Sequence, residues 1–289
     1  MNYRHAFHAG NFADVVKHAT LALVIEHLKQ KPAAFRVIDT HAGAGIYDLA
    51  GDESGRTGEW QGGIGRLIGA DAAPLPDDVA EVLKPYLAAV AACRGCTSEG
   101  QSLYPGSPQL ALALMRDADR LIANELHPED AEQLTRVLAR DKRAKVLHLD
   151  GWQMLKATLP PIERRGVVLI DPPFEQPGEF QRLAQGLKAA AQRFATGVFI
   201  LWFPIKDAET VAPFQRALEA LGLPKLLWVE FQVATPDVEA KLSATGLAIL
   251  NPPFRLDSQL ETLLQFLVER LENAPGARAR MTWLSGERT

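Results

Sequence analysis

Apolar positions along the chain change period after the first thirty residues or so. Between 13 and 30, Val15, Val16, Ala19, Leu23, Ile25 and Leu28 recur near helical spacing, behind an irregular opening segment at 2–11. Short unbroken apolar runs follow, each stopped by a polar or glycine-rich turn. They lie at 35–39, at 120–124 before Glu125, at 145–149 before Asp150-Gly151, at 166–170 before Asp171, and at 197–203. Further runs stand at 226–233 and 246–250, and 280–284 reads as an edge strand. Helical stretches such as 179–194 and 207–221 separate most of them. Buried strands alternating with helices predict βαβ units and a mostly parallel sheet, with an antiparallel pair late in the chain.

One interval breaks the rhythm. About eighty residues separate the first two strands, where a crossover needs only ~10 to 30. The excess predicts an inserted helical subdomain at 51–104, including an alanine-rich helix at 79–92, between a first segment 1–50 and the remainder 105–289. Tyr104-Pro-Gly-Ser-Pro108 restarts the main fold, with Ser107 as N-cap and Pro108 as first helical residue.

Composition narrows the class. A chain of 289 residues, 47% of them hydrophobic, can bury a large core. The formal net charge of -4 means that any nucleic-acid site must be a local basic patch. Cys93 and Cys96 have no second ligand pair at zinc spacing and read as reduced thiols. No apolar run approaches the ~20 residues of a membrane span, and no cleavable leader is visible, so a cytoplasmic protein is expected.

The first strand runs into Asp39-Thr-His-Ala-Gly-Ala-Gly45. Gly43 and Gly45 let the backbone turn sharply beside a ligand. Asp48 stands where a dinucleotide fingerprint needs its third glycine, and no phosphate-loop lysine follows. An acid before Gly-x-Gly instead suits an S-adenosylmethionine loop, although an ordinary strand-to-helix turn remains open. In an open parallel sheet, ligands sit beyond the carboxyl ends of the strands. There Glu125 can accept both hydroxyls of a ribose. Asp150, beside the Gly151 amide, can accept from an adenine amine. Either acid alone could be a solvated turn residue.

Val167-Val-Leu-Ile-Asp171-Pro-Pro-Phe174 is the strongest signal. An exocyclic base amine is a weak nucleophile because its lone pair is delocalised into the ring. A carboxylate, Asp171, accepting one N–H and a carbonyl, Pro172, accepting the other would draw the nitrogen toward tetrahedral geometry. Asp171 can also receive the released proton. Phe174 offers a stacking face, worth ~1–3 kcal/mol, against the few kcal/mol of flipping a base. Leu247-Ala-Ile-Leu-Asn251-Pro-Pro-Phe254 nearly repeats the motif. Its place after the late strands marks it as a structural turn.

Together these motifs resemble the amino-methyltransferases with an Asp/Asn/Ser-Pro-Pro-aromatic signature. The opening Tyr3-Arg-His-Ala-Phe-His-Ala-Gly-Asn-Phe-Ala-Asp-Val-Val-Lys-His18, the glycine loop, Tyr104-Pro-Gly-Ser-Pro108, Glu125-Leu-His-Pro128 and Asp171-Pro-Pro-Phe174 narrow this. They are similar to the RlmJ family of bacterial 23S ribosomal RNA adenine-N6 methyltransferases. The resemblance spans essentially the whole chain. It implies a class I, Rossmann-like methyltransferase fold with a seven-stranded, mostly parallel sheet and a small helical insertion. It implies S-adenosylmethionine contacts from His18, His41, Ser107, Glu125, Asp150 and Gly151, catalysis by Asp171, and Tyr3, His5 and Lys17 on the RNA side. It further implies 23S ribosomal RNA as partner; a monomer is expected. Phe174 departs from the tyrosine often found in the motif.

The histidines lack metal-ligand spacing, so no metal is expected. Arg140, Lys142, Arg143, Lys145, Lys156, Arg164 and Arg165 cluster in sequence and could flank the pocket or be a solvated face. Three other readings stand beside this one: a DNA amino-methyltransferase, a non-catalytic RNA-binding protein of the same fold, and a nicotinamide dehydrogenase, which the missing glycine disfavours.

Overall fold

The computed structural model of the chain describes residues 4–69, 72–94, 102–236 and 242–286. Its strands in chain order are β1 (Arg36–Asp39), β2 (Ile46–Asp48), β3 (Leu103–Pro105), β4 (Arg120–Asn124), β5 (Ala144–Leu147), β6 (Gly166–Ile170), β7 (Val198–Pro204), β8 (Leu226–Gln232), β9 (Ala244–Leu250) and β10 (Arg278–Ser285). The helices are α1 (Phe12–Lys29), α2 (Asp52–Thr57), α3 (Gly65–Ile68), α4 (Asp77–Arg94), α5 (Ser107–Leu114), α6 (Pro128–Leu138), α7 (Gly151–Thr158), α8 (Glu179–Arg193), α9 (Ala208–Glu219) and α10 (Leu256–Leu271).

The main sheet has eight strands in the order β10-β8-β9-β7-β6-β1-β4-β5. From β7 to β5 the neighbours are parallel. The β9, β8 and β10 strands are antiparallel. The expected seven strands thus become eight, because β10 pairs along its length with β8. The sheet is covered on both faces, which explains its continuous apolar strands. Alternate residues of β6 serve different layers. Val167 and Leu169 join a core with α1, α4, α5 and α10, while Val168 and Ile170 join one with α7, α8 and α9.

The long interval after β1 leaves through β2 and returns through β3, which pair with each other. Its helix α4 buries Leu83, Tyr86 and Val90 in the same cluster as α1, α5 and α10. The N-cap of α5 is Gly106, not Ser107. The Ser107 hydroxyl is drawn away to a buried acid, Asp39. Among the described residues, no helix is long and apolar enough to cross a membrane.

Most of the basic run does not flank the carboxyl ends of the strands. Arg143 and Arg165 precede β5 and β6, at the amino ends. There Arg143 donates to the carbonyls of Leu112 and Met115, and Arg165 to those of Leu28 and Ala33. They are internal braces between a helix end and a strand start. Lys156, on α7, stands apart from them.

Candidate active site

The carboxyl ends of β1, β4 and β5 are tied together by Asn124. Its amide donates to the carbonyls of Thr40 and Leu149, and its oxygen accepts from the Leu149 N–H. Over these ends lies a cavity of about 710 Å³, within the usual range for a small-molecule site.

Glu125, 8% exposed, is pinned on both oxygens: one accepts from the Gly43 N–H at 2.8 Å and the other from the His127 N–H at 2.7 Å. Burial nonetheless raises its pKa. Gly43 has φ +60, and a Cβ there would fall 2.1 Å from the Tyr47 hydroxyl, so only glycine fits. Asp150 caps α7 through one oxygen, accepting from the N–H groups of Trp152 and Gln153. A Cβ on Gly151 would fall 2.6 Å from His41 Nε2, so this wall too is built for glycine. Burial lowers the His41 pKa to about 4, keeping the ring neutral. Ser107 lines the cavity and donates to Asp39 Oδ2 at 2.6 Å. Burial pushes the Asp39 carboxyl up to about 7.

Two expected cofactor residues lie behind this wall. Gly45, φ +85, faces Leu134 and serves the turn. His18 is 1% exposed, with Nδ1 2.8 Å from the Tyr104 hydroxyl. Burial lowers its pKa to about 3.

Asp171 stands at the end of β6, where the cavity meets a second one of about 240 Å³. His5, Lys17, Asp171, Pro172 and Glu175 line both. The second cavity adds flat walls. Phe174 packs edge-on against Phe180 and Trp202, with ring centroids 4.9 and 5.9 Å away. Lys17, 3% exposed, places Nζ 2.5 Å from Asp171 Oδ2 and 2.8 Å from Asp14 Oδ1. Burial favours its neutral form, but the two carboxylates outweigh burial and raise its pKa. Lys17 therefore remains a cation.

Asp14 is the residue that sequence reasoning missed. Its Oδ2 accepts from the Gly10 N–H at 2.9 Å and lies 3.0 Å from His5 Nε2. Burial alone would raise its pKa, but His5, Lys17 and His18 hold its carboxyl well below the ordinary range. In sequence it looks like any acid in a first helical turn. Its one distinguishing signal is register: Asp14, Lys17 and His18 share a helix face at i, i+3 and i+4. Tyr3 and Cys96 lie outside the described residues. Among the described residues, no group of three metal-binding side chains converges.

Residues 32–285 match the family described as "Ribosomal RNA large subunit methyltransferase D, RlmJ". The chain is 39% identical over 288 residues to ribosomal RNA large subunit methyltransferase J of Escherichia coli, covering 99% of this chain and all of that one. It is 37% identical to the protein of the same name from Haemophilus influenzae, again covering 99% of this chain and all of that one. A crystal structure of a Legionella pneumophila protein superposes with a TM-score of 0.84 at 30% identity, covering 96% of this chain and 98% of that one. With a sheet of class I methyltransferase type and a match over nearly its whole length, the chain belongs to the RlmJ family of ribosomal RNA large subunit methyltransferases.

Proposed function

We propose that this protein transfers a methyl group from S-adenosylmethionine to the N6 amine of an adenine in 23S ribosomal RNA, in the cytoplasm. The observation that carries the reading is the meeting of two cavities, a polar one and an aromatic one, at Asp171. The donor set of the larger cavity fits the cofactor. Glu125 is fixed to receive ribose hydroxyls, Asp150 keeps one oxygen beyond its capping bonds, and the glycine walls at Gly43 and Gly151 allow close approach. His41 and Ser107 complete this wall. Gly45 and His18 support it from behind. When bound, S-adenosylmethionine supplies an electrophilic methyl group on a cationic sulfur.

The chain's own residues prepare the amine. A flipped base fits between Phe174, Trp202 and Pro172, with Lys17 and His5 at its edge. Tyr3 completes the RNA side in this reading. Lys17 occupies Asp171 Oδ2, so Oδ1 is the oxygen that accepts one amine N–H. The Pro172 carbonyl accepts the other. The amine loses one proton, and Asp171 Oδ1 takes it. Lys17 is not the base, because its flanking carboxylates keep it protonated. It fixes the orientation of Asp171 and neutralises its charge until the proton arrives.

The test is transfer of a labelled methyl group to unmodified large-subunit rRNA, with small-subunit rRNA and duplex DNA in parallel. Label recovered as N6-methyladenine from the large-subunit RNA alone is the expected result. Label in DNA, or in another base, overturns the substrate assignment.

A further inference from the structure

Two grooves adjoin the larger cavity at different residues, and they differ in charge. One, of about 550 Å³, shares Tyr47 and Asp130 with the cavity. Asp48, Asp52, Glu53 and Asp130 line it, against Arg4 and Arg56. Arg4 is already clamped by Glu53, Glu129 and Asp130. A polyanion gains nothing there. The other groove, of about 270 Å³, shares Trp152 and Arg182 with the cavity and runs between α7 and α8. Lys156, Arg182 and Arg193 line it and no carboxylate does; Arg182, at its cavity end, pairs at 3.5 Å with Glu179 of the larger cavity, so Lys156 and Arg193 carry the contrast.

From this charge difference we infer that RNA flanking the target adenine lies along the α7–α8 groove, its phosphates held by Lys156, Arg182 and Arg193. The inference rests on the RNA reading above and adds the path of the strand. Its physical basis is threefold. First, the chain has a net charge of -4, so binding must come from a local patch. Many other arginines are spent inside the fold: Arg36 on Glu163, Arg116 on Asp119, Arg143 on Asp141, and Arg66 and Arg270 on backbone carbonyls. Second, the groove is a helical stripe. Arg182, Gln185, Gly186, Ala189 and Arg193 fall on one face of α8. Its end residues are eleven positions apart, or about 16 Å along the axis. Third, Lys156, Gln185, Ala189 and Arg193 are exposed along the stripe, and Gly186 lets α8 close onto the Trp152 ring that joins groove to cavity, where a Cβ would fall 2.2 Å from the indole.

The test uses the full-length protein and unmodified large-subunit rRNA transcribed in vitro, read both as methyl transfer and as equilibrium RNA binding across a salt series. Lys156→Glu with Arg193→Glu is expected to raise KM for RNA at least tenfold, while kcat at saturating RNA holds. The slope of log affinity against log salt should become shallower by roughly 1 to 2, about one for each phosphate left without its cation. Gln185→Arg, which adds a cation to the same stripe, should lower KM. Arg216→Glu, an exposed charge change on α9, should do neither. Unchanged KM, affinity and salt slope in the double variant overturn the groove assignment. A wild-type protein that binds the RNA through the groove but methylates nothing would leave the groove standing and sink the proposed reaction. A wild type that binds no RNA sinks both.

Discussion

Asp171-Pro172-Pro173-Phe174 and Asn251-Pro252-Pro253-Phe254 are near copies in one chain, and the fold treats them in opposite ways. β6 is parallel to its neighbours, so its end opens on the cavities. β9 is antiparallel to β7, with Leu250 opposite Phe199, so Asn251 emerges at the amino end of β7. There it takes φ +53, and its amide donates to the carbonyls of Ala195 and Gly197. Phe174 is packed among aromatic rings, while Phe254 is 82% exposed. The motif supplies a rigid turn with a polar head. Strand direction decides whether that head meets a cavity or backbone.

The sharpest test of this contrast is the same truncation at each head. Asp171→Ala should lose ~10²–10⁴-fold in rate while keeping cofactor affinity. Asn251→Ala should keep its rate and lose about 1–3 kcal/mol in urea unfolding, because two carbonyls lose their donor and alanine resists the left-handed backbone. A rate defect in stable Asn251→Ala protein would dissolve the distinction.

The next effect probes the buried ion network at the carboxyl end. Asp14→Asn keeps the shape and removes one of the charges that hold Lys17. Breaking a buried pair costs about 3–5 kcal/mol. Because the folded-state pKa of Asp14 is depressed, its stabilisation is complete above the unfolded value of about 4 and fades as acid lowers the pH further. The stability gap between wild type and variant, measured by denaturant titration, should therefore be widest near neutrality and narrow below pH ~4. A constant gap contradicts the charge argument.

The smallest effects concern the two rings. Phe174→Ala should lower kcat/KM for RNA by an amount corresponding to ~1–3 kcal/mol of base stacking. Phe254→Ala should change stability by no more than about 0.5 kcal/mol and leave kcat/KM untouched.

Much of this contrast is legible in the sequence because buried parallel strands leave a distinct mark, an apolar run stopped by an acid. That mark locates Glu125, Asp150 and Asp171 before any coordinates. The strand ending at Asn251 is legible too, since its position after the late strands signals a reversed direction. β2 and β3 are not, because three residues each show no period. Ser107 sits one helical position away from the cap that its residue type suggests, since the pull of Asp39 on its hydroxyl acts across 68 residues. The basic run misleads for the opposite reason. Proximity in sequence conceals that a strand start and a helix lie at different ends of the sheet.

The Lys17–Asp171 pair joins residues 154 positions apart, and this has a consequence in time. At ~5–20 residues per second, the ribosome delivers Asp171 roughly 8–30 s after Lys17. During that wait, the first helix can carry Lys17 and Asp14, already paired at i, i+3, but the lysine's second carboxylate has not been made. Activity therefore arrives only when β6 has docked against α1. Onset of methyl transfer during synthesis or refolding would report completion of the sheet, not of its first half.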